Sequence, residues 1–212
     1  FLSLPSKNNT PDWEYMECYI ENLYNIQRKD ANTVHNYVNK ASLSTINVSK
    51  WKEFRLGDLF DNIRQGSRLK ISDQIKGEIP FVMSGRTDTG ISNFISNPRN
   101  IFPENSITID IFGNTFYRGY QFSAGDDTGV YWNEKLRYSK ATMLFLVAVI
   151  QKTLRDSFDF SDKLRSSNSL DIKICLPVTN NGEPDYMYMD SYIENLEIGE
   201  KQRIKAITRI FK

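Results

Sequence analysis

The sequence predicts an α+β protein: a globular domain with a small curved β-sheet and a buried helix, flanked by long connector helices. In the middle of the chain, apolar and polar residues alternate over residues 107–111, and glycines recur between such segments. This pattern is typical of short strands joined by tight turns. On both sides of this region, apolar residues recur every three or four positions, which is typical of amphipathic helices. A sheet domain between two helical segments is therefore expected.

One segment occurs twice, and it sets the expected domain boundaries. Residues 4–23 align with residues 176–196 when one residue is inserted, with thirteen identities over twenty paired positions. The stretch between the copies is not self-similar, whereas solenoid repeats recur at short intervals and stack. We therefore expect a variable globular part between two shared connectors. Residues 1–48 are expected to be the end of a preceding connector, and residues 49–178 the globular domain. Residues 179–212 are expected to form a second connector helix, which is truncated or packs against a partner.

Each copy predicts a helix that begins at a Pro-Asp pair, where the aspartate is placed to cap the helix. The apolar face of the first helix is formed by Trp13, Met16, Ile20 and Leu23. In the second copy Gly199 interrupts the apolar pattern before it resumes. We expect the second face to be a pairing surface for a partner or another helix, formed by Tyr186, Met189, Ile193, Leu196, Ile204 and Ile207.

The segment between the copies predicts the sheet and one internal helix. The helix is predicted over residues 141–158, which are strongly apolar and are expected to be buried. Strands are predicted at residues 79–83, 107–111, 115–117, 120–122, 130–132 and 170–176.

Composition excludes several kinds of catalytic and metal site. His35 is the only histidine, so a Ser-His-Asp triad or a multi-histidine zinc site cannot be built. No glycine-rich phosphate loop followed by Lys-Ser or Lys-Thr is present. Asp126 and Asp127 are adjacent carboxylates, which we interpret as a turn or surface pair and not as a metal site. We therefore expect no catalytic residue, no metal and no cofactor.

Cysteine usage, hydropathy and charge restrict the setting of the protein. Cys18 and Cys175 are lone cysteines without metal-ligand spacing, as expected in a reducing, cytoplasmic compartment. The longest apolar run, residues 143–150, is far shorter than the ~20 residues that span a bilayer, so no membrane association is expected. The net charge is only +1, so a nucleic-acid binder of this composition must gather its basic residues on one face.

Several motifs in the predicted domain resemble those of a known family. Residues 51–60 (WKEFRLGDLF), 63–66 (IRQG) and 76–82 (KGEIPFV) resemble the opening of a target-recognition domain. Residues 172–177 (IKICLP) and 182–189 (GEPDYMYM) resemble its exit strand and connector. Such domains occur in the DNA-specificity (S) subunits of type I restriction-modification systems and in related specificity modules of type IIG/IIB enzymes. The resemblance covers nearly the whole chain.

The resemblance implies a ligand and several partners. In that family each subunit carries two target-recognition domains separated by long antiparallel helices, and each domain reads one half of a split DNA sequence. The helices set the spacing and dock the methyltransferase subunits. The partners implied are double-stranded DNA, a methyltransferase subunit, a restriction subunit where the system has one, and a second recognition domain supplied in cis or by homodimerisation.

Four polar segments of the domain supply the side chains that such DNA recognition needs. Arginine and lysine contact phosphates, whereas arginine, glutamine, asparagine and serine also discriminate base edges. The residues expected to contact DNA are Arg64, Gln65, Ser67 and Arg68; Arg86 and Thr87; Arg118, Tyr120 and Gln121; and Lys163, Arg165, Ser167 and Asn168.

Two alternatives remain open from the sequence. The chain can be the recognition part of a fused type IIG restriction-methyltransferase, in which case the full gene carries an Asn-Pro-Pro-Tyr-like methylation motif upstream. It can also be a protein-interaction scaffold that does not bind DNA, in which case an unbiased DNA selection would enrich no motif.

Overall fold

The computed structural model describes residues 4–40, 47–159 and 161–210. Over these residues the fold is α+β, which confirms the predicted fold class. The chain divides into two compact units: a larger one formed by residues 47–194, and a smaller one formed by residues 1–46 together with residues 195–212.

The smaller unit begins with a two-stranded hairpin. Its strands, β1 (Ser6–Lys7) and β2 (Thr10–Pro11), are antiparallel. Between them Asn8 and Asn9 have φ angles of 53° and 63°. Asparagine tolerates this left-handed conformation better than most residues, and a two-residue hairpin turn requires it. The Asn-Asn pair therefore specifies the turn.

A long helix, α1 (Trp13–Lys40), follows the hairpin directly. Asp12 caps it, because its Oδ1 accepts a hydrogen bond from the N–H of Tyr15 at 3.0 Å. The position of this cap agrees with the Pro-Asp start predicted from the sequence.

Within the described residues, the larger unit contains three small sheets and two α-helices, and a third α-helix begins in it and continues past residue 194. In chain order the elements are β3 (Lys52–Arg55), α2 (Leu56–Leu59), β4 (Asn62–Gln65), β5 (Lys76–Val82), β6 (Ile91–Ile95), β7 (Ser106–Asp110), β8 (Thr115–Arg118), β9 (Ser123–Ala124), β10 (Thr128–Trp132), α3 (Lys140–Thr153), β11 (Lys173–Leu176) and α4 (Tyr186–Ile210). The central antiparallel sheet has the order β4-β10-β7-β8. A second sheet has the order β6-β5-β9, in which β5 and β9 are parallel, and β11 pairs with β3.

The main core lies between the central sheet and α3. Ile107 and Ile109 of β7 belong to the same buried cluster as Met143 and Leu146 of α3, and none of the four is more than 2% exposed. Ser139 caps α3 with its side chain, and the nearly all-apolar helix then fits a position covered on most sides. The buried internal helix predicted from the sequence is thus confirmed.

Some predicted boundaries differ from the structure. The helix predicted to reach residue 158 ends at Thr153, where Leu154 leaves the helix and Asp156 adopts a left-handed φ of 58°. The strand predicted at residues 120–122 is wrong. In that segment Phe122 forms only an isolated bridge with Phe102.

Candidate nucleic-acid interface

The predicted pairing face of α4 is partly covered by the domain itself. Tyr186, Met189 and Ile193 pack in the main core: Met189 is fully buried, and the Tyr186 hydroxyl lies 3.0 Å from the Tyr138 hydroxyl. The expectation of a pairing surface is therefore wrong for Met189, because its own domain covers it. Tyr186 and Ile193 are only partly buried, and their pairing with a partner stays a prediction. Of the other predicted residues, the exposed ones are Ile204 and Ile207, and the partly buried one is Leu196.

Gln65 lies in the first segment predicted to contact DNA, and its side chain bonds to two other parts of the domain. One is the turn at residues 124–128, and the other is the predicted DNA-contacting segment at residues 163–168. Gln65 Nε2 donates to the carbonyl of Asp126 at 3.0 Å, and its Oε1 accepts from the N–H of Ser166 at 2.9 Å. The Asp126 carbonyl also accepts from Nη1 of Arg165. Both ends of the Gln65 amide are thus bonded to protein. Its predicted DNA contact does not fit this arrangement, in which it is a structural clamp.

Two aspartates tie the loop between β5 and β6, residues 84–90, to the rest of the domain. Asp127 Oδ2 accepts from the N–H and Oγ of Ser84 at 3.0 and 2.8 Å, and Asp110 Oδ2 accepts from the N–H of Gly85 at 2.9 Å. Hydrogen bonds to an ionised carboxylate are about twice as strong as neutral ones. The beginning of the loop is therefore firmly held. Asp127 lies in a turn, as predicted.

Arg86 is the exposed residue that follows this anchored start. Its Nε donates to Asn114 Oδ1 at 2.8 Å, and Asn114 Nδ2 donates to Asp110 Oδ2 at 2.8 Å. Asn114 and Asp110 are both buried. Among the described residues, this is the one hydrogen bond that the Arg86 guanidinium makes. The side chain is thus oriented at Nε while its terminal nitrogens remain available to a ligand.

Arg118 lies in the interior of the domain. Its side chain is 1% exposed, and burial lowers the pKa of its guanidinium. The predicted DNA contact of Arg118 is therefore wrong, because the folded domain covers the group. Its neighbours Tyr120 and Gln121 are exposed, and the Tyr120 hydroxyl lies 3.2 Å from Arg118 Nη1.

The other residues expected to contact DNA remain at or near the surface. Arg64 is exposed and lies over the ring of Trp132, with its guanidinium carbon 5.8 Å from the ring centroid. The partly buried residue of the set is Ser67. The exposed ones are Arg64, Arg68, Arg86, Thr87, Tyr120, Gln121, Lys163, Arg165, Ser167 and Asn168. Their contact with DNA stays a prediction.

A close backbone approach at Gly66 holds the 64–68 segment against the 124–128 turn. A Cβ at this position would lie 2.1 Å from the carbonyl oxygen of Gly125 and 2.5 Å from that of Ala124. The N–H groups of Gly66 and Ser67 donate to the carbonyls of Thr128 and Ala124, both at 2.9 Å. Only glycine fits here, because the obstacle is backbone and not a movable side chain.

Gly66→Ala is accordingly expected to lower the free energy of unfolding by about 1–3 kcal/mol, because the added methyl must displace backbone. Urea denaturation measures the change. Ser67→Ala, at the next position, leaves the backbone bonds in place and is expected to change stability by no more than about 0.5 kcal/mol. Similar stabilities for Gly66→Ala and the unchanged chain would contradict the close approach.

Three residues that orient the β5–β6 loop were not predicted from the sequence to have this role. They are Asp110, Asn114 and Asp127. Asn114 directly follows Gly113 and Asp110 lies three residues before it, and short polar residues near a glycine indicate a turn. Their bonds to Gly85 and Arg86 join positions far apart in sequence, which a local pattern cannot specify.

Neither metal binding nor membrane insertion has support in the described parts of the chain. Over those ranges, no helix is both long enough and apolar enough to cross a membrane. Within the same residues, histidine, cysteine, aspartate and glutamate form no group of three that could hold a metal ion.

A mixed α+β domain thus lies between the two copies of the repeat, and its polar loops are joined by hydrogen bonds. The chain belongs to the family described as the type I restriction modification DNA specificity domain, whose model matches residues 48–209. The resemblance found in the sequence is therefore confirmed.

Several known proteins are similar to this chain. A type II restriction enzyme specificity subunit, S.BcgI from Heyndrickxia coagulans, is 27% identical over 200 residues, covering 92% of this chain and 58% of that protein. The S subunit of a type I restriction-modification system from M. genitalium has a TM-score of 0.54 at 16% identity, covering 93% of this chain and 54% of that one. The HsdS subunit from Thermoanaerobacter tengcongensis has a TM-score of 0.57 at 14% identity, covering 93% and 51%. The chain thus spans about half the length of these relatives, and the structural likenesses concern the fold.

Proposed function

We propose that the chain is a sequence-specific duplex-DNA recognition module of a restriction-modification system, reading one half of a bipartite target. The observation that carries this proposal is the joining of the predicted DNA-contacting segments by hydrogen bonds. Gln65 and Arg165 meet at the Asp126 carbonyl, and Arg86 is bonded to Asn114. Exposed arginines on joined polar loops suit both phosphate positioning and base readout. Membership in the DNA specificity family agrees with this function.

In this proposal residues 49–178 are the target-recognition domain, and residues 1–48 and 179–212 are connectors. A methyltransferase subunit, and a restriction subunit where one exists, dock on the assembly and supply the catalysis, so the chain itself is not an enzyme. One structural relative, at 15% identity and a TM-score of 0.51, is described in terms of complex assembly of a type I restriction-modification system, which supports such partners. The proposed place of action is the cytoplasm.

The two copies of the repeat have the same local structure. The N–H of Asp12 donates to the carbonyl of Pro5, and the N–H of Asp185 donates to that of Pro177, both at 2.9 Å. Each aspartate then accepts a hydrogen bond from the N–H three residues later, at 3.0 and 2.9 Å. The two copies therefore share the same turn, the same aspartate cap and the same helix start, in structure as well as in sequence.

The same helix face is covered in one copy and uncovered in the other. Met189 of α4 is fully buried by its domain, whereas the equivalent Met16 of α1 is only partly buried. Tyr186 packs against Tyr138, whereas the equivalent Trp13 is 68% exposed. We infer that a second recognition domain covers the α1 face, either in cis or from a second copy by homodimerisation. That the relatives are about twice as long supports this inference.

The proposal is tested by an unbiased selection from random duplex DNA, using the full chain with its methyltransferase partner. One short motif is expected to be enriched, and the affinity for it is expected to fall steeply with salt, because phosphate contacts release counterions. A chain that ignores DNA at low salt, with and without the partner, would overturn the proposal.

A fused type IIG restriction-methyltransferase is the second candidate. The relative described as a type II restriction enzyme specificity subunit favours a type II system, but its name is that of a separate subunit and not of a fused enzyme. The full-length gene decides between the two, because only a fused enzyme encodes a methylation motif in the same polypeptide. A protein-interaction scaffold is the remaining candidate, and a selection without an enriched motif would favour it.

A further inference from the structure

Arg118 is a buried arginine without a carboxylate partner. Its side chain is 1% exposed, and no described aspartate or glutamate forms an ion pair with it. A buried charge is unfavourable unless its donors are satisfied, so a guanidinium kept in this position calls for a reason beyond packing.

Two of the hydrogen bonds of Arg118 go to one residue of the β5–β6 loop, Thr89. Nη1 donates to Thr89 Oγ1 at 3.0 Å, and Nη2 donates to the Thr89 carbonyl. Nε donates to Thr108 Oγ1 of the central sheet at 3.1 Å. The guanidinium carbon also lies 5.5 and 5.9 Å from the ring centroids of Phe116 and Phe122, at cation–π distances. The arginine thus connects the loop to the rigid sheet.

The loop residues at this contact have an unfavourable backbone conformation. Asp88 and Thr89 have φ angles of 47° and 55°. A left-handed conformation is rare for a β-branched residue and persists only where the surroundings hold it. Because Arg118 bonds both the hydroxyl and the carbonyl of Thr89, it supplies such a restraint.

The same loop carries the exposed Arg86 and Thr87 between its two attachments. At its start, Ser84 and Gly85 are bonded to aspartates, and near its end Thr89 is bonded to Arg118. A segment fixed at both ends has little freedom left to lose when a ligand binds, and its donors already have defined directions.

We propose that Arg118 is a positioning residue for DNA specificity. It sets the shape of residues 86–89 from the interior without touching DNA. This inference rests on the proposed DNA-reading function, and it assigns the discrimination between sequences partly to a group that no ligand contacts.

Arg118→Met separates this role from general stability. The substitution removes a buried charge, which favours the folded state, but it also removes the donor to Thr89 and Thr108, which opposes it. The hydrogen-exchange readout is therefore compared between the loop and the central sheet of the same variant, so that a general change in melting temperature is not mistaken for a local effect. The amides of residues 86–90 are expected to exchange hydrogen at least about tenfold faster without DNA, because the restraint on Thr89 is lost. The amides of β7 and β10 are expected to be unchanged.

The DNA readout is the ratio of affinities for the selected motif and for single-base variants of it. Arg118→Met is expected to reduce this ratio at one or more positions by about tenfold, and Arg118→Lys is expected to restore part of it. The matched control is Arg137→Met, which removes an exposed arginine paired with Glu104 and is expected to leave the ratio unchanged.

The outcomes distinguish this inference from the proposed function. If exchange at residues 86–90 is unchanged in Arg118→Met, or if exchange rises while the ratio persists, the positioning role is overturned. If Arg118→Met does not fold, the test uses Arg118→Lys instead. The positioning role is then overturned if Arg118→Lys matches the unchanged chain both in hydrogen exchange at residues 86–90 and in the affinity ratio. If the unchanged chain binds no DNA, the proposed function fails, whereas faster exchange in Arg118→Met still establishes the restraint on the loop.

Discussion

Met189→Ala is expected to lower the free energy of unfolding of the domain by about 2–5 kcal/mol. The Met189 side chain is fully buried and packs in the main core together with Tyr186 and Ile193 of the same helix. Truncation removes these apolar contacts and leaves a cavity that the surroundings fill only in part. Urea denaturation followed by tryptophan fluorescence measures the loss, because Trp51 packs against the same core.

Met16→Ala is the matched control, since Met16 occupies the equivalent position in the first copy of the repeat. Met16 is only partly buried, so its truncation is expected to change the stability of this chain by no more than about 1 kcal/mol. In an assembly with a second recognition domain, the same substitution is expected to weaken association. Equal losses of stability from both substitutions in the chain alone would contradict the difference in burial.

The sequence predicts those features of the repeat that depend on residues close by in the chain. The helix start at each Pro-Asp pair follows from the aspartate cap. Which face is covered could not be predicted, because Met16 and Met189 lie in nearly identical sequences and differ in the domain around them. Gly199 interrupts the apolar pattern of the sequence but not the helix, since α4 runs through it. A single glycine costs a helix only about 1 kcal/mol.

For the candidate site, the sequence identifies polar segments but not the surroundings of each side chain in the folded domain. Arg86 and Arg118 both follow or end predicted strands beside glycines, and the sequence gives no reason to separate them. Their different burial depends on Thr89 and Thr108, which reach Arg118 only in the folded chain. Likewise, the bonds to the Asp126 carbonyl involve a backbone group, whose partners no side-chain pattern encodes.

Arg86→Ala is expected to relax sequence discrimination at one position of the DNA motif by about 1–3 kcal/mol, or about fivefold to 150-fold in relative affinity. The bond from Arg86 Nε to Asn114 fixes the orientation of the guanidinium group, so that its two terminal nitrogens point in defined directions as a planar fork of donors. Such a fork matches the O6 and N7 acceptors of guanine, which is the commonest base contact of arginine. Competition binding with each single-base variant of the selected motif measures the effect, and Arg86→Lys is expected not to restore it, because an ammonium group lacks the planar fork.

Arg68→Ala supplies the contrast that separates base readout from phosphate contact. Arg68 is exposed, and within the described ranges its guanidinium makes no hydrogen bond or ion pair, so nothing directs it toward a base edge. Its loss is expected to weaken binding to all sequences equally and to reduce the salt slope by about one. If Arg86→Ala instead behaves in this uniform way, the Asn114 bond does not orient a base-reading group, and Arg86 is a phosphate contact like Arg68.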